Sequence, residues 1–287
     1  MMTSTQHLIS AKPTRARQYA NPLKMGQHLW RQRDLIAQFT KRQVLQRYKG
    51  SYLGLLWSFV TPLAMLLIYT FVFSVIFQSR WEGAVSDNHA EFALMLFAGL
   101  IAFNIFSESI LMAPGLIVGN ANYVKKVVFP LEILPVTNLG SSLIHSLFSL
   151  TILISGMIFF LGRLPWTIIF LPLIYLPLIL LCLGVSWFLA SLGVFVRDIG
   201  HLLGLVVQML FFLTPIFYPM TAVPEKFRFL IYLNPLAFIV NHFRRVILIG
   251  QIPDWREFLL VTLAAFIVCM LGYIWFMKSK HAFADVV

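Results

Sequence analysis

Residues 53–77, LGLLWSFVTPLAMLLIYTFVFSVIF, run without a charge directly behind a leader that carries ten Lys/Arg and a single acid, Asp34. This stretch constrains the fold more than any other feature of the chain. About 20 apolar residues, rising roughly 1.5 Å each, cross a hydrocarbon core about 30 Å thick. Lipid offers the backbone no hydrogen-bond partner, so a segment of this kind spans as a helix. The basic flank marks the cytoplasmic side as the one it enters from.

The rest of the chain repeats the pattern. Charge-free windows cover 133–162, 164–196, 199–224 and 258–277, and a further window from Phe92 is interrupted first at Glu108. We therefore expect an all-α integral membrane fold with six spans, near 53–77, 92–114, 133–161, 165–195, 199–218 and 257–277. An even number places both termini on one face, and 15 of the 22 Lys/Arg fall on that face, which makes it the cytoplasm. Lys226, Arg228, Arg244, Arg245 and Arg256 fall on the other face. A seventh span there fails on length, because the uncharged core Phe229–Phe243 is too short and Asn234-Pro235 breaks it. The expectation is a re-entrant helical hairpin over 224–249, beside a pathway or a subunit contact, since irregular backbone at membrane depth needs protein or water around it. Trp57, Trp81, Trp166, Trp255 and Trp275 lie near span ends as an aromatic belt.

Composition agrees, with 59% hydrophobic and 11% charged residues, where a soluble domain carries about 25% charged. A net charge of +11 would point to nucleic acid in a soluble protein. Here the basic residues sit beside spans, where they set topology and meet anionic lipid, so membrane lipid and not nucleic acid is the expected partner. Cys182 and Cys269 lie inside apolar runs and read as small core residues. No apolar run precedes Leu53, so the first span is expected to be its own insertion signal. The chain divides into a cytoplasmic leader, 1–52, and a span domain, 53–287. Residues 1–24 are polar with two prolines and are expected to be mobile. From His28 to Tyr48 the spacing predicts an amphipathic interface helix with Leu29, Leu35, Ile36 and Phe39 on one face and a bend before Gly50.

Several constellations stand out, each with two readings. Asn138, Ser142, His145 and Ser149 share one face of the third span. Such a stripe is either interhelical glue or the wall of a path for a hydrophilic solute. Glu108 lies in NIFSES, with Asn104 a turn earlier; it is a functional intramembrane acid or a solvated carboxylate at the inner headgroup level. NANYVKKVVFP at 120–130, with Asn122, Lys125 and Lys126, and VRDIG at 196–200, with Arg197 and Asp198, are topogenic loops or the docking surface of a cytoplasmic motor. The sequence has no G-x-x-x-x-G-K-[ST] loop, so any ATP-driven motor is another polypeptide. Seven scattered histidines, with no H-E-x-x-H and no G-x-S-x-G, give no metal site and no catalytic nucleophile. The chain reads as a transport subunit and not an enzyme.

RYKGSYLGLLWSFVTPLAMLLIYTFVFSVIF at 47–77, NANYVKKVVFPLEILP at 120–135, FLTPIFYPMTAVP at 212–224 and LNPLAFIV at 233–240 together resemble the transmembrane permease subunit of bacterial type-two ABC exporters of polysaccharide. The likeness runs from about Leu29 to near the end, and is nearest to the O-antigen permeases, with capsule and teichoic acid permeases further off. It implies a homodimer in the inner membrane, bound to two copies of a separate ATPase that holds ATP and Mg, with no cofactor on this chain. It also implies a channel for lipid-linked polysaccharide, ATPase contacts through 28–48 and 120–130, and a periplasmic gate at 224–249. Arg31, Arg47 and Lys49 are candidates for a pyrophosphate-lipid headgroup, or else anchors in anionic lipid. Phe211, Phe212, Phe217 and Tyr218 contact sugar rings, or pack against lipid. An exporter of small apolar drugs on the same architecture is the alternative. A glycosyltransferase would need catalytic acids in an outer loop, and the short loop with Glu82, Asp87 and Glu91 is too small for an active site. A proton-coupled carrier would need more buried acids than Glu108.

Overall fold

A computed structural model describes residues 21–50, 52–76, 89–125 and 129–286, and all regular structure among them is helical. Residues 1–20, the outer loop with Trp81, Glu82 and Asp87, and Lys126 lie outside the described residues.

The leader forms two helices, starting earlier than the spacing indicated. Asn21 caps α1 (Pro22–Arg31) by accepting from the backbone of Leu23 at 3.0 Å and Lys24 at 3.3 Å. Pro22 follows in the first turn, where its missing N–H costs nothing. Gln32 breaks the helix, and α2 (Arg33–Tyr48) follows; the turn after it holds Gly50, whose φ of 86° suits a residue without a Cβ. Leu29 and Phe39 therefore stand on different helices, although both pack against the same apolar cluster.

After a short 3₁₀ turn, α3 (Trp57–Tyr69) carries Pro62 internally and continues in π-helical turns to Ile76. The helix α4 (His89–Met112) is followed by the short α5 (Gly115–Val118) and α6 (Ala121–Lys125). Next, α7 (Ile133–Gly156) runs on to Leu161, and α8 (Leu171–Phe195) is led in by a 3₁₀ turn from Trp166. Beyond α9 (Ile199–Leu213) come α10 (Arg228–Tyr232), α11 (Pro235–Arg244) with a π-helical extension to Ile249, α12 (Trp255–Ser279) and α13 (Phe283–Val286).

Among the described residues four helices are long and apolar enough to cross a membrane: His89–Met112, Ile133–Leu161, Trp166–Phe195 and Trp255–Val286. The first three lie close to the stretches expected at 92–114, 133–161 and 165–195, whereas the fourth continues well past the expected end at 277. The other two expected spans correspond to shorter apolar helices, Trp57–Phe73 and Ile199–Leu213. The second of these stops before residue 218 because Thr214 precedes Pro215, and a residue before proline is driven out of helical geometry. Within 224–249, where a re-entrant hairpin is expected, the chain forms two short helices, α10 and α11, joined at Asn234-Pro235.

The bundle is built around α4, whose side chains from Phe92 to Phe106 are buried on nearly every face. Without water between them, membrane helices gain by close van der Waals approach, which favours small residues at the contact. Gly184 of α8 and Gly272 of α12 make that approach. A Cβ on Gly272 would overlap the Gly184 carbonyl, and one on Gly184 would meet the backbone of Val268 and Cys269.

One end of the bundle holds a second apolar cluster, with Leu134, Trp187, Tyr273, Phe276 and Phe283 covered by Leu29, Phe39 and Phe129. Trp187 Nε1 donates to the Glu132 carbonyl at 2.9 Å. The leader, residues 115–125 and 129–132, and the C-terminal tail thus meet at the same end.

Candidate functional site

A cleft of about 1010 Å³ opens between α2, α3, α4 and α7. The i, i+3 and i, i+4 spacing of Asn138, Ser142, His145 and Ser149 puts all four on one face of α7, and all four line it. Asn104 and Glu108, one turn apart on α4, form the facing wall. Six of the ten expected path residues therefore come together.

Among the described residues the charged side chains on the wall are Arg47 and Glu108, and they bond to each other, Arg47 Nη1 donating to Glu108 Oε1. The pair joins the end of the leader to α4. Glu108 is thus neither deep in the bundle nor freely solvated. The remaining polar wall is neutral.

The α7 stripe both joins α4 and lines the cleft. Asn138 Nδ2 donates to the Ser109 carbonyl of α4 at 3.1 Å, a direct interhelical bond. Ser142 turns its hydroxyl back onto the Asn138 carbonyl at 3.3 Å and so adds nothing between helices. His145 is half-buried, its ring tilted toward Phe148 with centroids 6.5 Å apart. Asn138 joins the two helices, whereas the half-buried His145 and Ser149 line the cleft.

Sequence reasoning missed the opposite wall. Gln43 and Gln46 of α2 and Ser58 and Thr61 of α3 also line the cleft. Each pair is spaced i, i+3, which is the signal that could have found them. Gln43 Oε1 is buried and has no hydrogen-bond partner among the described residues, so it is available to accept from a solute hydroxyl. Trp57 adds a half-exposed aromatic face.

The four expected aromatic path residues lie elsewhere. Phe217 stacks on Phe73 with centroids 4.5 Å apart, meets Tyr69 at 5.4 Å and Phe211 at 4.9 Å, and Phe211 in turn meets Phe103 at 5.1 Å. This cluster ties the end of α9 to α3 and α4. Tyr218 Oη donates to the Phe212 carbonyl at 2.8 Å. Phe217 is buried, and Phe212 is the most exposed ring of the set.

Of the headgroup candidates, Arg47 is on the cleft, while Arg31 and Lys49 are exposed and apart from it. Asn122 and Lys125 are exposed on α6, and Arg197 and Asp198 are exposed ahead of α9. The α6 surface touches the leader, since Arg42 Nη1 donates to Tyr123 Oη at 3.1 Å and Phe39 packs edge-on to Tyr123 at 5.6 Å. Among the described residues no group of three or more His, Cys, Asp or Glu could hold a metal ion.

Residues 34–248 match the family model described as ABC-2 type transporter. An O-antigen export system permease protein RfbA of Klebsiella pneumoniae is 29% identical over 269 residues, covering 92% of this chain and 99% of the relative. An RfbA of Myxococcus xanthus with the same description is 27% identical over 253 residues, covering 87% and 93%. The polysialic acid transport protein KpsM of Escherichia coli is 26% identical over 218 residues, covering 74% and 81%. The chain belongs to the ABC-2 type transporter family.

Proposed function

We propose that this protein is the permease subunit of an ATP-driven exporter that passes a lipid-linked polysaccharide, of O-antigen type, across the bacterial inner membrane. The observation that carries the reading is the polar cleft in an otherwise apolar bundle, lined by amides and hydroxyls with one Arg47–Glu108 pair. Amides and hydroxyls both donate to and accept from sugar hydroxyls, and they demand neither a charge nor one fixed stereochemistry. Its volume reaches the upper end of the roughly 300–1,000 Å³ of small-molecule pockets, enough for more than one sugar ring. The names of the RfbA and KpsM relatives support the same substrate class.

In this reading α3 and α9 complete six spans, the leader 1–52 lies at the cytoplasmic face, and both termini are cytoplasmic. The α10–α11 pair dips into the outer leaflet as a gate. Two copies of the chain enclose the path and bind two copies of a separate ATPase, which carries ATP and Mg. Asn122, Lys125, Lys126, Arg197 and Asp198 form the docking surface for that ATPase. Arg47 receives the pyrophosphate of the lipid carrier, with Arg31 and Lys49 drawing it along the membrane surface. Asn104, Glu108, Ser142, His145 and Ser149 line the glycan's way in, and Phe212 and Tyr218 offer ring faces further along.

Depletion of the protein in its own host, with lipid-linked glycan assayed on both faces of the inner membrane, tests this. Accumulation inside with loss of surface polysaccharide is the expected result. Normal surface glycan with altered retention of small drugs would replace it with the small-molecule reading.

A further inference from the structure

The charge count at the hairpin treats Arg244 as one more basic residue of an outer loop, but its side chain is 3% exposed. Arg244 closes α11 and reaches inward. Its Nε donates to the Met95 carbonyl of α4 at 2.8 Å, its Nη1 to the Pro215 carbonyl at 2.5 Å and its Nη2 to the Ile216 carbonyl at 2.6 Å. A guanidinium holds its donors in one rigid plane, so three carbonyls bound at once fix both the side chain and the segments that supply them.

The need for such a clamp follows from the sequence. Thr214-Pro215 ends α9 and the chain goes on in bends rather than helix, so the buried Pro215 and Ile216 carbonyls have no helical partner. Arg244 supplies one. Gly99, a turn beyond Met95 on α4, makes room for it, because a Cβ there would stand 2.5 Å from Arg244 Nη2. The same stretch is held from the other end of α11, where Asn234 Nδ2 donates to Thr214 Oγ1 at 2.9 Å while Asn234 Oδ1 caps α11 by accepting from Leu236 N at 3.0 Å. Thr214 and Ile216 are fully buried, and Phe217, the next residue, enters the aromatic cluster.

We infer that Arg244 is a positioning residue: it binds the 214–217 link to α11 and α4, and so sets where Phe217 and its neighbours Phe212 and Tyr218 stand. Its importance for glycan passage rests on the proposed function, but the clamp itself does not. Hydrogen exchange followed by mass spectrometry on the full-length protein in lipid nanodiscs reads the clamp without any transport. Arg244→Met is expected to speed amide exchange across 214–218 by about tenfold or more, with 133–156 within about twofold of the parent. Arg244→Lys, which keeps a charge and part of the bonding, should fall between. Gly99→Ala should disturb the same stretch by crowding Nη2, and adding Arg244→Lys should bring exchange back toward the parent. Unchanged exchange at 214–218 in Arg244→Met, or an equal rise throughout the bundle, would overturn the inference. If Arg244→Met does not accumulate in the membrane, the Gly99 pair decides, and no relief by Arg244→Lys counts against the clamp. Export measured alongside keeps the two claims apart, since a parent-like exchange pattern with failed export sinks the clamp and leaves the transport reading standing.

Discussion

Glu132 and Lys280 stand 148 positions apart, and Lys280 Nζ donates to Glu132 Oε2 at 2.7 Å. The other oxygen of the same carboxylate accepts from His28 Nε2 at 2.6 Å. Glu132 is 2% exposed, so one buried acid at the start of α7 holds the leader and the C-terminal tail together. Replacing it by Gln removes a charged acceptor from both partners, a loss of about 1.5–3 kcal/mol. Glu132→Gln should leave the bundle folded while trypsin cuts faster at Lys24 and Arg31 in the leader. Unchanged cleavage rates would show that the apolar contacts of Leu29 and Phe39 suffice without the bridge.

The same junction should respond to acid. Burial alone would raise the Glu132 pKa, but the Lys280 charge and bond, with the His28 bond, outweigh it and hold the carboxyl below its ordinary 4.5. A carboxyl with a depressed folded pKa contributes stability above the unfolded value and loses it as pH falls through the folded one. Leader protection should therefore hold from neutral pH down to about 4.5 and fall below it. Glu132→Gln should abolish that acid limb, and a limb that persists in the variant would assign it to another group.

The long spans were legible because each is a run of apolar residues between charges, a signal carried by single residues in order. The break between α10 and α11 was legible for a similar reason, since Asn234-Pro235 marks the turn and the α11 cap. The leader was only half legible. Its helical spacing showed, but the Asn21-Pro22 start and the Gln32 break depend on capping geometry. The stripe on α7 was visible because its residues are three and four apart. What they face was not, because Gln43 and Thr61 reach the same cleft from distant parts of the chain. Glu132 and Arg244 were passed over for one reason: a charge beside a span looks like a topogenic residue until its partners, 148 and 149 positions away, are known.

Gly184 and Gly272 should be the least replaceable pair in the bundle. Because the groups a Cβ would strike are backbone atoms of the facing helix, neither side chain nor rotamer can yield. Gly272→Leu should cost about 3 kcal/mol, the upper end for overpacking, and lower the amount of protein in the membrane. An unaltered unfolding temperature in detergent would mean that α8 and α12 can separate freely.

Asn138 and His145 should separate structure from passage. Asn138→Ala removes one interhelical bond, worth about 0.6 kcal/mol on average inside a membrane, and should lower thermal stability slightly. His145→Leu combined with Ser149→Leu should assemble normally and lose export, because both side chains are half-buried and line the cleft. Normal glycan export by that double variant would retire the cleft as the path.

Arg47 and Glu108 offer the cleanest separation of a bridge from a binding role. The arginine side chain is half exposed and the glutamate about a quarter exposed, so water and salt weaken their attraction. Breaking an exposed pair costs about 0.2–1 kcal/mol, too little to unfold the protein. If Arg47 matters only as a tie between the leader and α4, Arg47→Gln and Glu108→Gln should have the same small effect on stability and on export. If Arg47 instead receives the anionic carrier, Arg47→Gln should cut export by about tenfold or more, whereas Glu108→Gln should spare it by leaving the guanidinium free to bind phosphate. Export measured for the two variants at matched membrane levels separates the cases, and equal export would assign the pair to the scaffold.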